Sequence, residues 1–372
     1  MKILITDILT RKTFDTVNIL TKYYKNDDLI FTCNNFYEKF IALLVYKSTN
    51  IFKLRKSTFF QADLVKISKI LNDQKIIYIP FEEDTTILFF DFIKKQGDLN
   101  FKYKLPSSLN FELSRNKIEL NKYCKLNNID IPNQYFNSDI ENNSIKFPVI
   151  VKPRSCSGSK GIKRFKNLRE LRNFNFDEKT FVCQELLNNS INVEAGFFLM
   201  ERGEIISYYS HKRLRTYPEN GGVSVLSKST ENLYIKKIGH SILKKMNWNG
   251  FAMIEFIYDD KTNLYKLIEI NPRLWGSVLL SEFCNSNFLD GYIRCCLNKN
   301  IVVNQIDTEK YVRWIFPYDI IYWFKNLSNP LIFFKKQNNT CYINFSYSNT
   351  LRSMIFIIFS YFNLKKIIAF FK

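Results

Sequence analysis

From residue 1 to about 105, short apolar runs alternate with amphipathic segments, and this alternation restricts the possible folds more than any other feature of the chain. "KILIT", "DDLIFTC" and "KIIYIP" read as buried strands, and "TFDTVNILTKYY" and "QADLVKISKILND" as the helices between them. Strand–helix alternation predicts a small parallel α/β domain. No GxGxxG occurs there, so a dinucleotide site has no support. After that the pattern changes. "SRNKIELNKYCKLNN" predicts a helix with Ser114 as N-cap and Pro132 as the breaker beyond it. "KFPVIVKP" and "TFVCQELL" read as strands, with the amphipathic "NLRELRNF" between them. "NVEAGFFLMERGEIISYYSHKRLRT" then predicts antiparallel strands turning at "ERGE". "YIKKIGHSILKKMNW" predicts a helix, and "GFAMIEFIYD" and "NLYKLIEINPRLW" predict a hairpin turning at "DKTN". The expected class is mixed α/β (α+β).

The net charge of +19 over 372 residues favours anionic partners. The basic residues are spread along the chain, with neither paired Cys/His spacing nor an aromatic ribonucleoprotein motif, so no specific nucleic-acid partner is expected. Eight cysteines form no CxxC pair, which fits reduced thiols and a cytoplasmic location. Cys156 has no His partner nearby in sequence and reads as a bystander. Asp7 interrupts the apolar start, which suits a first strand better than a signal peptide. Near the end, the apolar run from Met354 to Leu364 is too short to span a bilayer. It fits a helix packed on the body of the protein, with peripheral membrane contact as the alternative.

Two stretches carry the chemistry. "VIVKPRSCSGSKGIKRF" sets a buried strand against a loop of small residues, Ser155, Ser157, Gly158, Ser159 and Gly161, ringed by lysines and arginines. Only 11 glycines occur in the chain, so two in this loop stand out. It is not a phosphate loop of the GKS/T kind. In the later hairpin, Glu255 and Glu269 lie in apolar strands, where ionised carboxylates are costly unless paired or bound to metal. Asn271 shares the face of Glu269 by the period of two, and Arg273 extends the row. Two carboxylates and an amide oxygen suit Mg²⁺ held against phosphates, whereas edge-strand glutamates facing solvent would carry no such site.

From about Ser114 to about Cys296 the sequence resembles the ATP-grasp superfamily, of the carboxylate–amine ligase type. "RNKIELNKYCKLNNIDIP" looks like the family's first phosphate-contacting element, which points to Lys117, and "FPVIVKP" to a second lysine, Lys152. The resemblance makes residues 155 to 161 the flap over the β- and γ-phosphates and "CQELL" the adenine hinge. Gln184 would then reach the exocyclic amine, and the backbone of Glu185 and Leu187 would read the ring. Glu194 matches a position that often faces nucleotide. "IEINPR" is the most specific match, implying metal ligation by Glu255, Glu269 and Asn271 and phosphate contact by Arg273. "HKRLRTYPENGG" resembles the loop in which Lys212 would meet γ-phosphate or substrate, with Gly221 and Gly222 forming a tight turn at the acceptor pocket. His211, beside Lys212, is a further candidate, and His240 reads as structural.

The implied organisation is an N-terminal α/β domain over 1–110, an ATP-grasp domain over 111–300 with subdomains meeting near 185, and a C-terminal aromatic and basic extension over 301–372. The flap is leaner in glycine than in biotin carboxylase-like members, and the extension matches no family pattern. The implied activity is ATP-dependent amide formation through an acyl phosphate. Its implied cofactors are ATP with Mg²⁺ or Mn²⁺, and its substrates a small carboxylate and an amine. The alternative is a non-catalytic ATP-binding protein of the same fold.

Overall fold

The computed structural model describes residues 1–72, 74–155, 161–187, 193–218, 222–302, 304–325, 339–343 and 350–361. The first strands, β1 (Lys2–Ile5), β2 (Leu29–Cys33), β3 (Ile51–Lys53), β4 (Ile76–Tyr78) and β5 (Phe101–Lys102), form a parallel sheet in the order β3-β2-β1-β4-β5. They are joined by α1 (Arg11–Leu20), α2 (Phe36–Tyr46), α3 (Phe60–Ile70) and α4 (Glu83–Gln96). Strand order reverses between β1 and β4, the place where open parallel sheets present ligand sites beyond their carboxyl ends. Both helices that start there, α1 and α4, deliver their first residue toward the cleft described below.

Helices α5 (Ser108–Arg115) and α6 (Lys117–Leu126) lead into β6 (Gln134–Tyr135), α7 (Asn137–Glu141), β7 (Val149–Pro153), β8 (Lys163–Phe165), α8 (Leu168–Arg172) and β9 (Phe181–Glu185). These strands make an antiparallel sheet in the order β6-β9-β7-β8. The cap of α6 is Asn116, whose Oδ1 accepts from the amides of Ile118 and Glu119; Ser114, the expected cap, lies inside α5. A backbone bond of 3.0 Å from Lys117 to the carbonyl of Arg154 ties the start of α6 to the end of β7.

The third sheet contains β10 (Val193–Glu201), β11 (Glu204–Tyr217), β12 (Val223–Thr230), β13 (Gly250–Asp259) and β14 (Leu264–Asn271), with α9 (Leu233–Lys245) between β12 and β13. After it come α10 (Val278–Phe283), α11 (Phe288–Cys296), β15 (Tyr311–Trp314), α12 (Ile320–Lys325), β16 (Thr340–Ile343) and α13 (Thr350–Tyr361). The order is β14-β13-β10-β11-β12-β15-β16, antiparallel except for β15 with β16. The "ERGE" turn puts Arg202 and Gly203 at positive φ (49° and 80°), the geometry a two-residue hairpin needs.

Period-two alternation sorts this large sheet into two faces. Phe198 and Met200 pack with α9 and Leu120 of α6. Ala195, Phe197 and Leu199 share a core with Ile3 and Ile5 of β1, Phe14 and Val17 of α1, and helices α10 and α11. One core therefore fuses the first sheet to the third. Described residues beyond 300 are built into it: β15 and β16 extend the sheet, and Phe356 of α13 stacks on Phe14 at 4.4 Å. Among the described residues no helix is long and apolar enough to cross a membrane.

Candidate active site

A cleft of about 300 Å³ opens between the four-stranded and seven-stranded sheets. Its floor is the β13–β14 hairpin, where register sets Glu255 directly opposite Glu269 and Met253 opposite Asn271. Opposed carboxylates on one buried face repel unless a cation lies between or beside them. Here Glu255 is ion-paired to Arg213, and Glu269 lies 4.0 Å from the Lys117 ammonium. Burial and the Glu269 charge push Glu255 above the ordinary carboxylate range, against the pull of Arg213. At Glu269 burial also acts upward, but Lys117, the hydrogen bond from Asn271 and the nearby Arg213 and Lys152 outweigh it and hold the carboxyl low. Asn271 donates to Glu269 at 2.9 Å, and Arg273 donates to Asn271 Oδ1 at 3.0 Å. Arg273 is itself anchored to Glu83 of α4, with Nε 3.1 Å from Oε1.

The facing wall comes from the smaller sheet. Lys152 lies on β7 and points its ammonium to Gln184 Oε1 on β9, at 3.2 Å. Burial, with help from Lys117, lowers Lys152 to about 8, although Glu269 opposes the shift. Glu185, Leu186 and Leu187 line the cleft with Ile150 and Val193. The Glu185 carboxylate is tied outward, to Lys266 at 2.7 Å and to the Asn133 amide at 2.9 Å. Ser155 and Gly161 stand at the two ends of the loop after β7, exposed. Ser157, Gly158 and Ser159, together with Cys156, lie outside the described residues.

Two expected site residues fall on the other face of the large sheet. Glu194 and Lys212 are direct partners across β10 and β11, and neither lines the cleft. Glu194 accepts from Thr230, from Asn232 at 3.0 Å and from Tyr265 at 3.1 Å, on the side that α9 covers. Alternation along β11 instead brings His211 and Arg213 into the cleft. His211 stacks on Phe197 at 4.6 Å and lies 3.1 Å from Ser277 Oγ. Burial lowers it to about 3, so it is neutral at ordinary pH.

Gly222 also lines the cleft, and a Cβ there would lie 2.0 Å from the Tyr217 carbonyl, so the turn demands glycine. Its neighbour Gly221 is outside the described residues. Arg11, from the first turn of α1, reaches the same end of the cleft. Neither Arg11 nor Arg213 was singled out in the sequence; Arg213 sits one residue from a position that was.

The donor set fits a hard cation. Among the described residues no group of three His, Cys, Asp or Glu side chains could hold a metal unaided. Two glutamates and one amide oxygen match the sparse protein ligation of Mg²⁺, which keeps water and substrate phosphate oxygens as its other ligands. The glutamates that would hold it are Glu255 and Glu269, with Asn271 beside them.

Comparison with known proteins finds a family match and similar folds. Residues 114–277 match the family described as an ATP-grasp domain. A stretch of 144 residues is 24% identical to acetyl-CoA carboxylase 2 of Arabidopsis thaliana, covering 35% of this chain and 6% of that protein. The fold is similar to the biotin carboxylase domain of the Hydrogenobacter thermophilus 2-oxoglutarate carboxylase, solved with MgADP, ADP and bicarbonate. The TM-score is 0.64 and the identity 14%, over 83% of this chain and 73% of that one. It is also similar to N5-carboxyaminoimidazole ribonucleotide synthetase of Thermotoga maritima, with a TM-score of 0.56 and 17% identity over 82% and 78%. These likenesses extend past the matched domain into the N-terminal parallel sheet, as the shares covered require.

Proposed function

We propose that the chain, which carries an ATP-grasp domain over residues 114–277, is an ATP-dependent ligase joining a carboxylic acid to an amine. The observation that supports this most is the arrangement of one face: Glu255, Glu269, Asn271 and Arg273 in a row, with Lys117 and Lys152 across the cleft. In this reading the nucleotide's base lies against Glu185 to Leu187, with Gln184 toward its exocyclic amine. The phosphates run past Lys152 and Lys117 toward the hairpin. Bound Mg²⁺, or Mn²⁺, would neutralise phosphate charge at Glu255 and Glu269.

The reaction is a positioning problem. An acid oxygen attacks the γ-phosphorus, the bond to the β–γ bridging oxygen breaks, and ADP leaves. The amine then attacks the acyl carbon, the bond to the phosphate oxygen breaks, phosphate departs, and the amine proton passes to solvent or phosphate. Lys117, Lys152, Arg213 and Arg273 supply fixed positive charge where negative charge moves, so no protein nucleophile is needed.

The test is a screen for ADP release over amino acids, sugar acids and dipeptides, with hydroxylamine as a universal amine to trap acyl phosphate as hydroxamate. An acid-dependent signal is expected, falling about 100-fold or more in Glu269→Gln, which keeps volume but removes a metal-binding charge. Rapid ATP hydrolysis indifferent to acid, or a Glu269→Gln protein as active as wild type, would remove the reading.

A further inference from the structure

At the end of the cleft farthest from Glu185–Leu187 lies a cation from outside the matched ATP-grasp stretch. Arg11 starts α1, at the carboxyl end of the first sheet and outside the matched ATP-grasp stretch. Its guanidinium lies 4.5 Å over the Trp314 ring and donates from Nη2 to the Gly276 carbonyl at 3.2 Å. Trp314 belongs to β15, which is separated from the carboxylate-bearing β13 by β10, β11 and β12. At about 4.8 Å per strand, Arg11 is anchored on the order of 19 Å across the sheet from Glu255.

The other cleft arginines on this sheet are spoken for: Arg213 by Glu255, and Arg273 by Glu83. Arg11 has no carboxylate within ion-pair distance among the described residues. Asp15, one turn along α1, is buried and pushed up to about 7, so it neutralises Arg11 only in part. Around Arg11 the wall is polar and close. His211 is buried, and its Nε2 faces Ser277. Gly276 leaves room for the guanidinium, since a Cβ there would sit 3.3 Å from Arg11 Nη2.

Stacking on an indole fixes the plane of a guanidinium while leaving its edge donors open, the arrangement that suits two-point capture of a carboxylate or phosphate. We infer that Arg11 is a specificity-determining residue, and that the acid substrate carries a second anionic group which Arg11 binds, with His211 and Ser277 beside it. This rests on the ligase reading for which group reacts, but not for the existence of the anion subsite. It narrows the substrate class to dicarboxylic acids or acids bearing phosphate or phosphonate.

The test measures thermal stabilisation of the full chain, with Mg²⁺ and a non-hydrolysable ATP analogue present, by three acids of equal chain length. Heptanoate carries no remote charge, pimelate a remote carboxylate and 6-phosphonohexanoate a remote phosphonate, and these chains reach farther toward Arg11 from the metal end than four-atom acids would. Either or both dianions should bind about tenfold or more tightly than heptanoate, and Arg11→Gln should erase that preference. Arg11→Lys should restore part of it, because it returns the charge without the fork. The shift given by the nucleotide analogue alone reports whether each variant is folded. Equal stabilisation by all three acids, or a dianion preference that survives in a folded Arg11→Gln protein, overturns the proposal. A dianion bound through Arg11 by a chain that forms no hydroxamate would retire the ligase reading and leave the subsite standing.

Discussion

Lys152 shows how one residue's environment becomes a measurable property. Its ammonium is buried and lowered to about 8, so within the folded protein it loses charge across a range in which an exposed lysine stays protonated. The sign follows from linkage. Because the folded value lies below the unfolded one, the cost of burying this charge is fully present below pH 8 and is relieved as pH rises from there toward 10.5. A triphosphate prefers the charged form, so nucleotide affinity should move the opposite way. We expect KM for ATP to rise with pH above about 8, by up to about tenfold per pH unit, and Lys152→Arg to flatten the profile. A wild-type KM for ATP that stays constant to pH 10 would place Lys152 away from the phosphates. His211, lowered to about 3, adds no titration in this window.

At the scale of the element, β11 and the β13–β14 hairpin show what a sequence displays and what it hides. In the hairpin, apolar residues frame Glu255, Glu269 and Asn271, the turn is short, and period two settles which side chains share a face. That geometry was readable from residues alone. β11 reads "EIISYYSHKRLRTY", with no clean alternation, because polar residues occupy both faces, and its register with β12 shifts on either side of Arg215. The family likeness pointed to Lys212, whereas the structure turns its neighbour Arg213 toward the cleft. Arg11 was hidden for a different reason: only packing against Trp314, far along the chain, brings it to the cleft. Loop closure of that kind leaves no local pattern. The faces of β11 predict opposite outcomes for adjacent alanines. Arg213→Ala, which strips Glu255 of its ion pair and the cleft of a cation, should lower kcat/KM at least about tenfold, whereas Lys212→Ala should stay within about twofold. The reverse order would mean that β11 is registered one residue away from the structure.

For the whole molecule, the decisive feature is the shared core. The parallel sheet, the large antiparallel sheet and the C-terminal helix meet around Phe14, Phe197, Trp275 and Phe356. The strand–helix alternation of the first 105 residues was legible, but the contribution of residues beyond 300 was not, since their aromatic and basic sequence has little periodicity. Fusion through one core holds Arg11 and Glu83, the first residues of two helices that cross the N-terminal sheet, against Gly276 and Arg273 of the stretch that matches the ATP-grasp family. The C-terminal helix should therefore matter to global stability. Phe356→Ala, which removes a buried ring stacked on Phe14, should destabilise the chain by about 3–5 kcal/mol in denaturant unfolding. A loss below about 1 kcal/mol would show that α13 is not part of the core.

In the proposed reaction an acid oxygen attacks the γ-phosphorus, and oxygen tracing tests that step most directly. An acid accepted in the screen is labelled with ¹⁸O in both carboxylate oxygens, the reaction is run with ATP and amine in unlabelled water, and the released phosphate is weighed by mass spectrometry. Attack by the carboxylate places one acid-derived oxygen in each phosphate, leaving the other in the amide. Phosphate carrying no label would mean that water, and not the acid, had taken the phosphoryl group, or that activation occurred elsewhere on the nucleotide, and would contradict the account.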